Sequence, residues 1–245
     1  MSALHQTALV SGAGSGIGRA VAQALAALEI RVALLGRRRD ALERTRQELG
    51  AAGAHARIEP CDVANRAHVG AAVERVLAEF GGSIDILVCN AGTNTAKRSL
   101  EAIDPAEWDR LIATNLTGAF NLVHFVLPAM RAQKRGLVIQ IASIAGLRAS
   151  VLGGAAYSAS KFGQAALGVC LGREERGRGI RSTVIYPGEV NTPILDERPV
   201  PVPPERKAAI LQPEDVAAAV RFVAELNPRV SVPELVIVPA VDDFG

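Results

Sequence analysis

The 245-residue sequence predicts an α/β fold: one doubly wound, seven-stranded parallel sheet with helices on both faces. Three observations predict it. Short apolar runs alternate with longer amphipathic stretches along the whole chain. Several of the runs have no polar face, as strands do when helices cover both sides of a parallel sheet. A glycine cluster (Gly12, Gly14, Gly16, Gly18) closes the first run and opens the first helical stretch.

The strands are expected at 7–11, 31–35, 55–59, 84–89, 136–142, 181–186 and 235–238, and the helices at 17–28, 40–49, 66–80, 105–131, 156–176 and 213–226. Some boundaries carry their own chemistry. Asp104-Pro105-Ala106-Glu107 reads as an N-cap, a proline at the first helical position and an acid at the third. Gln212-Pro213-Glu214-Asp215 opens the last helix in the same way, although Gln is a poor cap. Gly177 and Gly179 end the helix before them. Pro199-Val200-Pro201-Val202-Pro203-Pro204 cannot be helical and is expected as an extended surface loop. With no repeat and no linker, residues 1–245 are expected to form a single domain.

Composition excludes several classes. A net charge of +2 is too small to indicate nucleic acid or an anionic membrane as partner. No run of 18 apolar residues is present, so no membrane span is expected. Cys61, Cys89 and Cys170 are far apart and form no CxxC pair, and His5, His55, His68 and His124 are isolated, so no metal site is expected. An odd cysteine count behind an N-terminus without a signal pattern fits a reducing cytoplasm.

The glycine cluster has the context of a phosphate site. Gly12 permits the tight turn, Gly16 and Gly18 permit close backbone approach, and the helix that follows offers free N–H groups and the positive end of its dipole. Gly12, Ser15, Gly16, Ile17 and Gly18 are therefore cofactor-binding candidates. At the end of the second strand an NAD site usually presents a carboxylate, but this chain presents Arg37-Arg38-Arg39. Guanidiniums suit a 2′-phosphate, so Arg37 and Arg38 favour NADP(H) over NAD(H). The competing reading is a solvated helix start.

Tyr157 and Lys161 lie four residues apart and share one helix face. A neighbouring cation stabilises phenolate and lowers the pKa of Tyr157. Ser143 follows the fifth strand, so it and Tyr157 both fall at the carboxyl edge of the sheet, where open α/β sheets bind ligands. Asn115 interrupts the apolar stripe of Trp108, Leu111, Ile112, Ala119 and Leu122. Two readings of it stay open: a satisfied core amide, or a strut behind Lys161.

These residues resemble the classical short-chain dehydrogenase/reductase family over nearly the whole chain. Ser11–Gly18 resembles TGxxxGxG with Ser for Thr, and Cys89-Asn90-Ala91-Gly92 resembles NNAG with Cys for the first Asn. Asn115, Ser143, Tyr157 and Lys161 occur in the family's order, and the segment from Pro187 to Thr192 resembles its PG…T stretch. The resemblance implies a Rossmann-type oxidoreductase that moves a hydride between NADP(H) and a carbonyl or secondary alcohol. It implies Tyr157 as general acid/base, with Ser143 polarising the substrate oxygen. Tyr157 and Lys161 would also belong to the cofactor site, Lys161 holding the nicotinamide ribose, and the backbone of Asn115 would support a water relay. Asp62 and Val63 would meet the adenine, while Asn90, Ala91 and Gly92 would line the adenosine side. Pro187, Gly188, Val190 and Thr192 would hold the carboxamide. It also implies a homotetramer or homodimer acting on a small molecule. The chain's ending lacks the common Asp-Gly-Gly segment and is similar to a subgroup acting on small hydroxy acids or hydroxy amino acids.

The alternatives are a non-catalytic NADP(H) sensor, an NAD(H)-preferring dehydrogenase of a small hydroxy acid, and an isomerase, dehydratase or epimerase. The sensor has no need of the Tyr157/Lys161 pair, and the last three usually carry a larger C-terminal part. The substrate pocket is expected between 93–103, 144–156 and 189–211. Leu147, Val151, Leu152, Ile194 and Leu195 would make it mostly apolar, and Lys97, Arg98, Arg148 and the charge cluster at 196–198 would give it a basic rim.

Overall fold

The β1 strand, Thr7–Ser11, is buried along its whole length. Ala8 and Val10 enter one apolar layer, and Leu9 enters the other. The same alternation divides Leu137, Ile139 and Ile141 from Val138. Both faces are thus core, which is why the strands read as apolar runs without a polar side. The computed structural model describes residues 6–242; His5 and residues 243–245, which include the end of the hydroxy-acid-like tail, lie outside the described residues.

The other strands are β2 (Arg31–Gly36), β3 (Arg57–Pro60), β4 (Ile86–Cys89), β5 (Gly136–Ile141), β6 (Ile180–Pro187) and β7 (Glu234–Ile237). All pair in parallel, in the order β3-β2-β1-β4-β5-β6-β7. The order reverses between β1 and β4, and a doubly wound sheet opens its ligand crevice at that point. Helices α1 (Gly16–Ala26) and α8 (Pro213–Glu225) cover one face. Helices α3 (Arg66–Glu79) and α5 (Gly118–Gln133) cover the other. The remaining helices are α2 (Arg39–Glu48), α4 (Pro105–Ile112), α6 (Ala155–Glu175) and the short α7 (Pro204–Ala209).

Five local expectations are corrected. The third strand starts at Arg57, because Gly50–His55 winds into a 3₁₀ turn. The fourth starts at Ile86; the Asp85 carboxylate before it accepts from Thr7 N and pairs with Arg135. The long helix from Pro105 is broken by a π-turn at Ala113–Thr117. Trp108 lies outside the buried stripe, exposed on α4. Pro204 leaves the proline loop and opens α7, with its fixed φ at the first helical position.

The caps follow their chemistry. Asp104 Oδ1 accepts from Ala106 N at 2.8 Å. At α8 it is Asp215 that caps, accepting from Gln212 N at 2.7 Å. Pro105–Gln133 is long and apolar enough to cross a membrane by length and composition. In this fold its inner face packs into the core through Leu111, Ala119 and Leu122.

Candidate active site

Turns at the carboxyl ends of β1, β4, β5 and β6 enclose a cleft of about 620 Å³ at the switch point. It brings together Gly12, Ser15, Gly16, Ile17, Arg37, Arg38, Asp62, Val63, Asn90, Ala91, Gly92, Ser143, Tyr157, Lys161, Pro187, Gly188, Val190 and Thr192. Two sequence candidates, Gly18 and Asn115, do not line it.

The glycine turn is shaped by close approach. Gly12 and Gly16 hold φ of +66° and +50°, a region that costs a side-chain-bearing residue. A Cβ on Gly16 would meet Thr192 at 3.1 Å, so these two elements face one another across a narrow opening. Gly18 lies behind the turn, where a Cβ would stand 2.3 Å from the Gly12 carbonyl oxygen. It serves helix–strand packing. Ser11 explains the tolerated loss of Thr: its Oγ accepts from Asn90 N at 2.9 Å and Ala91 N at 3.0 Å, and donates to Val88 O at 3.2 Å. One hydroxyl therefore joins the β1 and β4 turns.

At the other side of this half, Arg37 and Arg38 are exposed. Neither guanidinium makes a hydrogen bond or ion pair with another described residue, whereas Arg39 pairs with Glu43 and Arg44 with Asp40. Asp62 Oδ1 accepts from Ala64 N at 3.1 Å. Asn121, buried on α5 and absent from the sequence reading, donates to Val63 O at 3.0 Å and holds that turn in place.

Tyr157 sits in the first turn of α6, and its phenol hydrogen-bonds Ser143. Burial pushes the phenol pKa above its usual 10, while Ser143 and the charge of Arg98 pull it down. The Lys161 ammonium lies 5.8 Å from the phenol ring centre, deeply buried, and burial lowers its pKa to about 7. It donates to Ile141 O at 2.9 Å and to Gln164 Oε1 at 2.8 Å. Gln164 Nε2 in turn donates to Cys89 O and Gln140 Oε1, both at 3.1 Å. The lowering of the Tyr157 pKa expected from Lys161 does not emerge: desolvation dominates, and the cation that opposes it is Arg98.

Asn115 is fully buried in the π-turn. Its Oδ1 accepts from Thr93 N at 2.8 Å, and its Nδ2 donates to Thr93 O and Ser160 Oγ at 3.0 Å each. Ser160 donates to the Tyr157 carbonyl at 2.7 Å. The side chain is a satisfied amide that ties the β4 loop to the first turn of the Tyr157 helix. A Cβ on Gly92 would lie at ordinary contact distance, 3.5 Å from Asn115 Oδ1 and 3.6 Å from Lys161 Nζ, so Gly92 borders both side chains.

The far end of the cleft is more charged than expected. Leu147 packs instead beside Ala142, Val184 and Tyr186, and Val151 is 95% exposed. Leu152, Ile194 and Leu195 remain; of the expected charged rim Arg98, Glu197 and Arg198 line the cleft and Lys97 and Arg148 do not, and Glu189, Arg206 and Asp242 join them. Glu189 pairs with Arg198 at 2.7 Å and Arg206 at 2.6 Å, and Arg206 also reaches Asp242 at 2.7 Å. The sequence held a signal for Gln164 and Ser160: each lies three residues beyond a site residue, on the same helix face. Arg206 and Asp242 carried no such signal.

Residues 6–200 match the short chain dehydrogenase family. A putative ketoacyl reductase of granaticin polyketide synthesis from Streptomyces violaceoruber is 41% identical over 80% of the chain and 71% of its own length. Glycine betaine reductase ATRR from Emericella nidulans is 37% identical over 96% of this chain; the chain spans only 19% of that longer protein. The crystal structure of a metagenomic short-chain oxidoreductase in complex with NADP superposes with a TM-score of 0.84 at 35% identity, covering 98% of this chain and 100% of that one. Other solved neighbours hold NADPH or, in one case, NADH.

Proposed function

The chain belongs to the short-chain dehydrogenase family, and from that premise we propose an NADP(H)-dependent oxidoreductase that interconverts a carbonyl and a secondary alcohol, with Tyr157 as general acid/base. The observation that carries the reading is one cleft with the Ser143–Tyr157 hydroxyl pair at one end and two unpaired guanidiniums at the other.

The residues fit a dinucleotide. The Gly12–Gly16 turn leaves backbone open to a pyrophosphate at the start of α1, and Arg37 and Arg38 are free to meet a 2′-phosphate. Asp62 and Val63 would border the adenine; Asn90, Ala91 and Gly92 the adenosine side; Pro187, Gly188, Val190 and Thr192 the carboxamide. Lys161 would hold the ribose hydroxyls. When bound, the nicotinamide supplies or accepts the hydride.

The chain's own part is proton transfer and orientation. Ser143 Oγ and Tyr157 Oη converge on the substrate oxygen. In reduction Tyr157 gives its proton to that oxygen; in oxidation the phenolate takes one. Lys161 lowers the cost of the phenolate. Asn115, through Ser160, keeps the Tyr157 turn in register. Exposed Phe120 and Phe162 on α5 and α6 support assembly as a homodimer or homotetramer.

Tyr157→Phe tests the assignment. Turnover is expected to fall by at least ~10³-fold while NADPH affinity by fluorescence titration stays within about twofold, since the acid/base is lost while the ring and the other cofactor-site residues remain. Retained turnover contradicts it.

A further inference from the structure

Five charged side chains are buried among the described residues: Glu59, Asp85, Arg98, Lys161 and Glu175. Each acid is met by guanidinium. Glu59 pairs with Arg57 and Arg75, Asp85 with Arg135, and Glu175 with Arg131 and Arg178. The two cations meet no carboxylate among the described residues. A buried charge without a counter-ion is costly, and such charges concentrate where something binds or reacts. Lys161 has its place in the reading above. Arg98 has none.

Arg98 is 8% exposed and lines the cleft. Its Nε donates to Thr95 O at 2.8 Å, Nη1 to Leu152 O at 2.7 Å and Nη2 to the backbone oxygen of Glu197 at 2.5 Å. Three walls of the cleft thus fix the guanidinium with neutral acceptors. These bonds use three of its five N–H groups and leave one on each terminal nitrogen. Its charge reaches the Tyr157 phenol; burial first and then the charge of Arg198 disfavour its own protonation, against a smaller opposing pull from Tyr157 and Glu197. The other arginines at this end, Arg198 and Arg206, are paired with Glu189 and Asp242. Glu197 is exposed, and its carboxylate makes no ion pair with Arg98.

We propose that Arg98 anchors a carboxylate carried by the same small molecule whose carbonyl meets Tyr157, so that the substrates are short oxo acids and the matching hydroxy acids. One unpaired cation in a wall whose other arginines are already paired suits a monoanion. The two remaining N–H groups suit the two oxygens of a carboxylate. The proposal rests on the hydride-transfer reading for what happens at the carbonyl.

The test separates binding from chemistry. Butanoate and butanamide, which cannot react, are titrated calorimetrically into NADPH-saturated protein, and a short 3-oxo acid is compared with its methyl ester in turnover. The wild type is expected to bind butanoate at least about tenfold tighter than butanamide and to prefer the acid in kcat/KM by about tenfold or more. Arg98→Gln is expected to erase both preferences, and Arg98→Lys to keep part of them. Equal binding of the two ligands by the wild type overturns the proposal. So does an Arg98→Gln protein in which acid and ester fall alike, since that is a structural clamp. An ester turned over faster than the acid removes the carboxylate anchor and leaves hydride transfer standing. Arg98-dependent butanoate binding in a protein that consumes no NADPH does the reverse.

Discussion

The two ends of the cleft are built differently. The end proposed to hold the cofactor is made by chain turns within a few residues of the strand tips: Gly12, Gly16, the Ser11 hydroxyl and the Asn90–Gly92 turn. The end proposed to meet the substrate is held by side chains that bridge distant segments. Arg98 ties residues 95, 152 and 197 together, and Glu189 ties residues 198 and 206. Binding a common cofactor needs backbone fixed by local sequence, while choosing a substrate needs walls that can change without disturbing the turns.

The difference can be broken at either end. The largest effect is expected from Gly18→Ala, whose Cβ would press on the Gly12 carbonyl oxygen. Gly12 backbone and the Asn90 amide, itself held by Ser11 O, leave little room to relax, so a loss of about 3 kcal/mol and of NADPH binding is expected. Thermal melts with and without NADPH check it. Next, joint replacement of Arg37 and Arg38 by Ala should weaken NADPH by about 10–100-fold and leave NADH nearly unchanged, because charge-assisted bonds to phosphate are lost. Equal loss for both cofactors would assign the arginines to the helix start alone. At the substrate end, Glu189→Gln should release Arg198 and Arg206. KM should rise about tenfold with NADPH affinity unaltered, as measured by steady-state kinetics.

The smallest effect concerns pH. Lys161 has its pKa lowered by burial to about 7, and the Tyr157 phenol is raised above 10. Below about 7 the ammonium is present; above it the cation is lost while the phenol is still protonated. If the ammonium assists, kcat/KM for reduction should decline as pH rises through about 7. Lys161→Arg should remove that limb, because a guanidinium stays charged.

Much of this was legible in the sequence, for physical reasons. Apolar runs buried on both faces announced the parallel sheet, and glycines at fixed offsets announced the first turn. Tyr157 and Lys161 share a helix face by spacing alone. The partners of Asn115 were not legible, because Thr93 and Ser160 are each remote from it in sequence. The pocket wall was misjudged as mostly apolar, because Leu147 turned into the sheet and Val151 out to solvent. Arg206 and Asp242 enter it only through the path of the chain after β6 and β7. Short-range turn chemistry can be read from neighbours in sequence; long-range ion pairs need the fold.

The most direct measurement follows NADPH and NADH absorbance, at equal concentration, across a panel of aldehydes, ketones and oxo acids. Consumption of NADPH in the presence of a carbonyl, faster than that of NADH by about tenfold or more, is the expected result. Protein that binds NADPH yet consumes none across the panel, or that uses NADH faster, would contradict the account.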